Sequence, residues 1–372
     1  DSIDPEVLCR SCIDDHARVR ETAVALMGDY CETHETLKQY LLRAARDPDA
    51  AVRFRAAISI GQMRESVSQK NGPEIIQALA DIVIAAPHDP WTLAAVGTAV
   101  SGCAVPVLED ILKRDIHTVP TRLIGYFAEL AAASDESLDR LIQQVGALEN
   151  AQDLWLAFAE GLGGGLGRRR TTVEALSKAL SRESRQVLDT IFKEAAHQAC
   201  QMSLSPSARI RAIDVLGYAG ESVGLPVLLG LIEHEENQDV RRELLVILSQ
   251  WNTPQINSVL VADLHSLTPA LQRVALNACC AKVSRAKNLL SMIESGRLAP
   301  TLLSEAQWKK LGTLRDASIQ EQVQRIRASI RPADRAKVLS EYQVSLSLQG
   351  DRERGQRIFL KNCASCHRIG EQ

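Results

Sequence analysis

The chain has 372 residues, 45% hydrophobic and 24% charged, with 43 lysines and arginines against 46 aspartates and glutamates and a formal net charge of −3. That composition is ordinary for a globular protein and excludes a disordered or collagen-like chain. The charge balance gives no electrostatic footprint for nucleic acid or an anionic membrane surface. No apolar run is long enough to predict a transmembrane helix.

Reading from the N-terminus, Cys9-Arg-Ser-Cys12 and Cys31-Glu-Thr-His34 have a spacing that tetrahedral zinc accepts. Their surroundings favour structural thiols instead, because Cys12 falls where an apolar residue is wanted and free cysteine packs as a small hydrophobe. The stretch from Asp14 to Gly28 is echoed from Asp47 to Gly61, placing Val19-Arg20 in register with Val52-Arg53. Fainter copies read Ile210-Arg211, Val240-Arg241 and Leu271-Gln272, and Gly28, Gly61, Gly97, Gly125 and Gly161 keep an approximate count between them. Within each copy apolar residues recur at helical spacing behind a turn that supplies an N-cap, and second helices are predicted near Leu37–Arg46 and Leu225–Glu233. Arg20, Arg53, Arg211 and Arg241 are expected to pair with turn acids of adjacent repeats.

Gly161-Leu-Gly-Gly-Gly-Leu-Gly-Arg-Arg-Arg170 interrupts this pattern. It matches neither common phosphate-binding template, so a loop is predicted over 161–170, dividing a first half of the array (1–160) from a second (171–330). Cys103, Cys200, Cys279 and Cys280 are expected in the core, and Glu233, Glu235 and Glu236 in a solvated turn. No Ser/His/Asp pattern, H-E-x-x-H or carboxylate pair points to catalysis within this chain. A linker is predicted over 331–349.

The last segment differs. Asp351 stands as an N-cap, with Gly355 and Phe359 one turn apart, followed by Cys363-Ala-Ser-Cys366-His367. The C-x-x-C-H arrangement is the attachment site of a c-type haem: two thiols meet the two vinyl groups of one porphyrin, and the adjacent imidazole ligates the iron. About 0.005 matches are expected by chance at this composition. A thioredoxin-like or zinc reading lacks the surroundings each requires.

The turn-led Val-Arg, Ala and Leu-Gly positions resemble HEAT repeats, which implies an all-α helix-pair solenoid, an interaction scaffold with a surface open to a protein partner. Together with Leu289–Gly296, Arg335–Gln343 and the Gly350–His367 motif, the chain resembles the haem-binding region of planctomycete and verrucomicrobial multidomain, membrane-bound dehydrogenase-like proteins. That resemblance implies a covalently attached haem c held by Cys363 and Cys366, with His367 as proximal iron ligand. It further implies an electron-transfer role beside a β-propeller resembling sugar dehydrogenases, a redox partner, and a periplasmic or cell-envelope setting. Only the first helix and attachment motif of a class I cytochrome c domain (350–372) are expected here. All four methionines precede His367, so the distal ligand is not expected from this chain. The alternative is a non-enzymatic scaffold whose haem motif is unused.

Overall fold

The computed structural model describes residues 4–28, 30, 34–63, 72–114, 118–134, 136–261, 264, 267–329, 335–364, 367 and 369. Among them there are 22 α-helices, two short 3₁₀ turns and no strand, so the protein is all-α. None of these helices is long and apolar enough to cross a membrane. The chain forms two compact units, residues 1–224 and 225–372.

In the first unit the helices are α1 (Pro5–Ser11), α2 (Ala17–Met27), α3 (Glu35–Ala44), α4 (Ala50–Gln62), α5 (Pro73–Ala85), α6 (Pro90–Ala99), α7 (Ala104–Leu112) and α8 (Thr121–Ala133). There follow α9 (Asp139–Gly146), α10 (Gln152–Arg168), α11 (Val173–Ser177), α12 (Arg182–Cys200) and α13 (Pro206–Tyr218). The chain continues through α14 (Glu221–His234). In the second unit lie α15 (Gln238–Leu248), α16 (Pro254–Val261), α17 (Pro269–Cys279), α18 (Val283–Glu294), α19 (Glu305–Gly312), α20 (Ala317–Ser329), α21 (Arg335–Gln343) and α22 (Arg352–Asn362).

The helices that repeat are set by their N-caps. From the caps His16, Asp49, Pro120, Ala151, Ser205, Asn237 and Thr268, the core is filled seven, eight and eleven residues on. Ala56, Ala57 and Ile60 stand in this register with Phe127, Ala128 and Ala131, and with Leu244, Leu245 and Leu248; all nine are buried. At five of these seven caps, all but Pro120 and Ala151, the side chain supplies a local reason: Asp49 accepts from the Ala51 amide at 2.8 Å, Ser205 from Ala208 at 3.3 Å and Asn237 from Asp239 at 3.0 Å. Each bond satisfies a helix amide that has no intrahelical partner.

This register corrects the third sequence copy by two residues. Arg209, not Arg211, stands at the position of Arg20 and Arg53; it is 3% exposed, and its Nε donates to the Ala199 carbonyl at 2.9 Å, at the end of α12. Arg53 likewise donates to the Asp47 and Pro48 carbonyls of its own turn. Arg20 does this too, reaching the Asp14 and Asp15 carbonyls, and it also makes the expected pair with the next turn, a bidentate bond to Asp47 at 2.8 Å through each nitrogen. The two bonds differ in kind, since Asp47 supplies a charged partner. Arg211 stands only 3.9 Å from Glu160, with both side chains about half exposed.

The loop predicted over 161–170 is instead the second half of α10. Its glycines remain helical because they are packed: Gly161 and Gly165, one turn apart, lie against the α8 backbone, where a Cβ on Gly161 would collide with the Gly125 carbonyl and one on Gly165 with that of Glu129. Burial at a close helix crossing overrides glycine's poor helix propensity. The helix stops later, where Arg170 takes φ +55° and the Thr171 amide bonds back to the Leu166 carbonyl at 3.0 Å. It is therefore no divider; the compact units part at 224/225.

The predicted linker carries α21 and a 3₁₀ turn at Val344–Ser347, and its described side chains from 339 to 349 are exposed. Glu235, expected in a solvated turn, is buried, and its carboxylate accepts from the Asn237 amide at 2.9 Å, just before α15.

Candidate functional site

The Cys363-Ala-Ser-Cys366-His367 segment follows α22. Asp351 caps that helix as expected, its carboxylate accepting from the Arg354 amide at 2.9 Å. At the other end the Cys363 and Ala364 amides both donate to the Phe359 carbonyl, at 2.8 and 2.9 Å, and the His367 amide donates to the Cys363 carbonyl at 2.8 Å. That last bond ties the first thiol residue to the imidazole residue through the backbone. Cys363 is half-buried and His367 exposed, while Cys366 lies outside the described residues.

Surface character fits a porphyrin as well as the donors do. α22 buries none of its residues, and Ile358, Leu360 and Ile369 are 50%, 50% and 65% exposed, so apolar side chains are exposed on either side of the motif in the chain. At Gly355 a Cβ would meet nothing within 4 Å among the described residues.

The N-terminal cysteines do not assemble a metal site among the described residues. Cys9 and His34 line one cavity of about 690 Å³, but the Cys12 thiol turns to the Met27 sulfur, 3.5 Å away. Cys31 lies outside the described residues. Of the thiols expected in the core, Cys103, Cys279 and Cys280 are buried; Cys200, at the end of α12, is exposed. Burial pushes the Cys279 thiol up to about 12 and that of Cys280 to about 11, which leaves both protonated and poor nucleophiles at neutral pH.

No family model matches the chain, and no curated protein matches it. Among solved structures, a crystal structure of an engineered protein from a structural-genomics programme is 14% identical, covering 87% of this chain and 97% of its own, with a TM-score of 0.16. A likeness of that size carries no information on fold or activity.

A second feature escaped the sequence reading. A groove of about 580 Å³ in the first unit is lined by α8, α10 and α13, including Tyr126, Glu129, Glu160 and Tyr218. Its residues come from three separate helices, so no local motif announces it.

Proposed function

We propose that the chain is a c-type haem-binding electron-transfer protein in which HEAT-type helix pairs form an α-solenoid carrying the attachment segment. The observation that carries this reading is C-x-x-C-H directly after an exposed helix, with the His367 amide donating to the Cys363 carbonyl at 2.8 Å. Cys363 and Cys366 would bond the porphyrin covalently, and His367 would supply the proximal imidazole. When bound, the group supplies one-electron redox chemistry. The residues of this chain orient it: Asp351 starts the helix, the Phe359 carbonyl ends it on Cys363, and Ile358 and Leu360 offer apolar contact. The array would position the segment relative to a dehydrogenase-like module and a redox partner, in the periplasm or cell envelope where c-type attachment takes place.

Expression with a c-type maturation system, followed by a denaturing gel stained for haem peroxidase activity, tests this directly. Wild type is expected to retain stain through denaturation, and Cys363→Ser combined with Cys366→Ser to lose it. Unstained wild-type protein, from cells that mature a control cytochrome, would leave the scaffold reading in its place.

A further inference from the structure

We infer that Tyr342 to Leu348 form a strand that pairs antiparallel with the same segment of a second copy of the chain, centred on Ser345. The segment reads Tyr-Gln-Val-Ser-Leu-Ser-Leu, and its apolar members Tyr342, Val344, Leu346 and Leu348 are 69%, 65%, 87% and 68% exposed. No other stretch of that length among the described residues leaves as many large apolar side chains in solvent. Exposed apolar surface gathered in this way marks a contact face.

The spacing sets the conformation in which these side chains act together. Successive members are two residues apart, so a helix divides them between sides about 200° apart around its axis, whereas an extended strand places all of them on one face and Gln343, Ser345 and Ser347 on the other. The 3₁₀ turn they occupy is lightly held: its side-chain support is the Ser345 and Ser347 hydroxyls donating to the Tyr342 and Val344 carbonyls at 2.6 and 2.8 Å. The preceding α21 has 9 residues, short of the ~12–15 at which a helix stands without packing. Unwinding Tyr342 and Gln343 from its end therefore costs little.

Two observations choose the partner. The described residues contain no strand, so they offer no sheet edge and the pairing strand comes from another molecule. The pattern is also its own complement. About a two-fold axis at Ser345, Tyr342 faces Leu348, Val344 faces Leu346, Gln343 faces Ser347 and Glu341 faces Gln349, so apolar meets apolar and no like charges meet. Parallel pairing in register would set Glu341 against Glu341. Strand edges that avoid their own copies carry charges, proline or bulges, and from 342 to 348 there is no charge, proline or glycine. A two-stranded ribbon is marginal by itself, so the dimer is weak and forms as concentration rises. No residue of the pair belongs to the Cys363–His367 motif, and the inference stands or falls apart from the haem reading.

Sedimentation equilibrium of the full chain from ~5 to ~200 µM, with thiols kept reduced, reads the outcome. Wild type is expected to pass from monomer to dimer, and Leu346→Ser to raise the dissociation constant at least ten-fold. Charge reads the register. Gln343→Lys with Ser347→Glu sets opposite charges across the two-fold axis, whereas Gln343→Lys with Ser347→Lys sets like charges there, and the second pair is expected to dimerise at least five-fold more weakly than the first. All these side chains are exposed, and circular dichroism checks that the helices remain. Wild type that stays monomeric across the range would overturn the inference. So would a dimer insensitive to Leu346→Ser, or one that treats the two charge pairs alike.

Discussion

At the scale of one residue, Arg285 shows what the second unit uses to bind helix ends together. It is 1% exposed, and its guanidinium faces carbonyl and amide oxygens: Nε donates to Asn257 Oδ1 at 3.1 Å, Nη1 to the Ser249 and Ala278 carbonyls at 2.9 and 3.4 Å, and Nη2 to the Trp251 carbonyl. Ser249 and Ala278 lie at the C-termini of α15 and α17, where carbonyls lack intrahelical partners and the helix dipole is negative. Two helix ends thus act as the counter-charge, while burial lowers the guanidinium's pKa. Arg285→Met keeps most of the volume and removes the donor from the Asn257, Ser249 and Trp251 acceptors, so urea unfolding is expected to show a loss of about 3 kcal/mol or more. A loss under ~1 kcal/mol would show that the carbonyls find other donors. Such a residue is hard to read in a sequence, because periodicity treats charge as a marker of the solvent face. Arg209 misled the repeat register for the same reason: it is a buried arginine, two residues before the exposed Arg211 that looked equivalent.

At the scale of elements, the crossing of α8 and α10 is where local propensity and tertiary structure disagree. Five glycines in seven residues, 161 to 167, read as a loop because nothing in the sequence states what lies opposite them. The contact supplies that reason, and it separates the glycines by role. Gly165→Ala drives a methyl into the Glu129 carbonyl and is expected to cost about 2 kcal/mol. At Gly167 a Cβ meets nothing within 4 Å, and alanine is the better helix former, so Gly167→Ala is expected to stabilise by about 0.5–1 kcal/mol. Thermal melts of the two variants should therefore move in opposite directions; shifts of the same sign would mean that the helix does not hold its crossing. The N-caps were more legible. A side chain that bonds an amide two or three residues away acts locally, and Asp49 and Asp351 both cap the helices the sequence assigned to them.

At the scale of the whole molecule, helical periodicity gave the class, all-α, because a buried face must repeat wherever a helix packs. Unit boundaries were less legible, since they depend on contacts between residues far apart in the chain. The two candidate sites divide in the same way. A c-type attachment motif needs neighbouring residues, so the proposed Cys363, Cys366 and His367 stand in one short window, whereas the tyrosine groove draws on positions from 121 to 218 and leaves no trace in any short window. Residues 351–362 bury nothing, so a chain ending at Gly350 is expected to melt within about 1 °C of the full one, since removing an exposed element leaves stability nearly unchanged. A larger drop would show that the attachment segment is packed on the helices before it. The α8–α10 crossing also bears on how a helix pair of this kind can be copied. Where helices meet through side chains, a duplicated unit can settle beside a new neighbour by exchanging bulk across the seam. Where they meet backbone to backbone, there is no bulk to exchange, so Gly125, Gly161 and Gly165 bind their two helices into one unit of inheritance, lengthened or shortened only as a block.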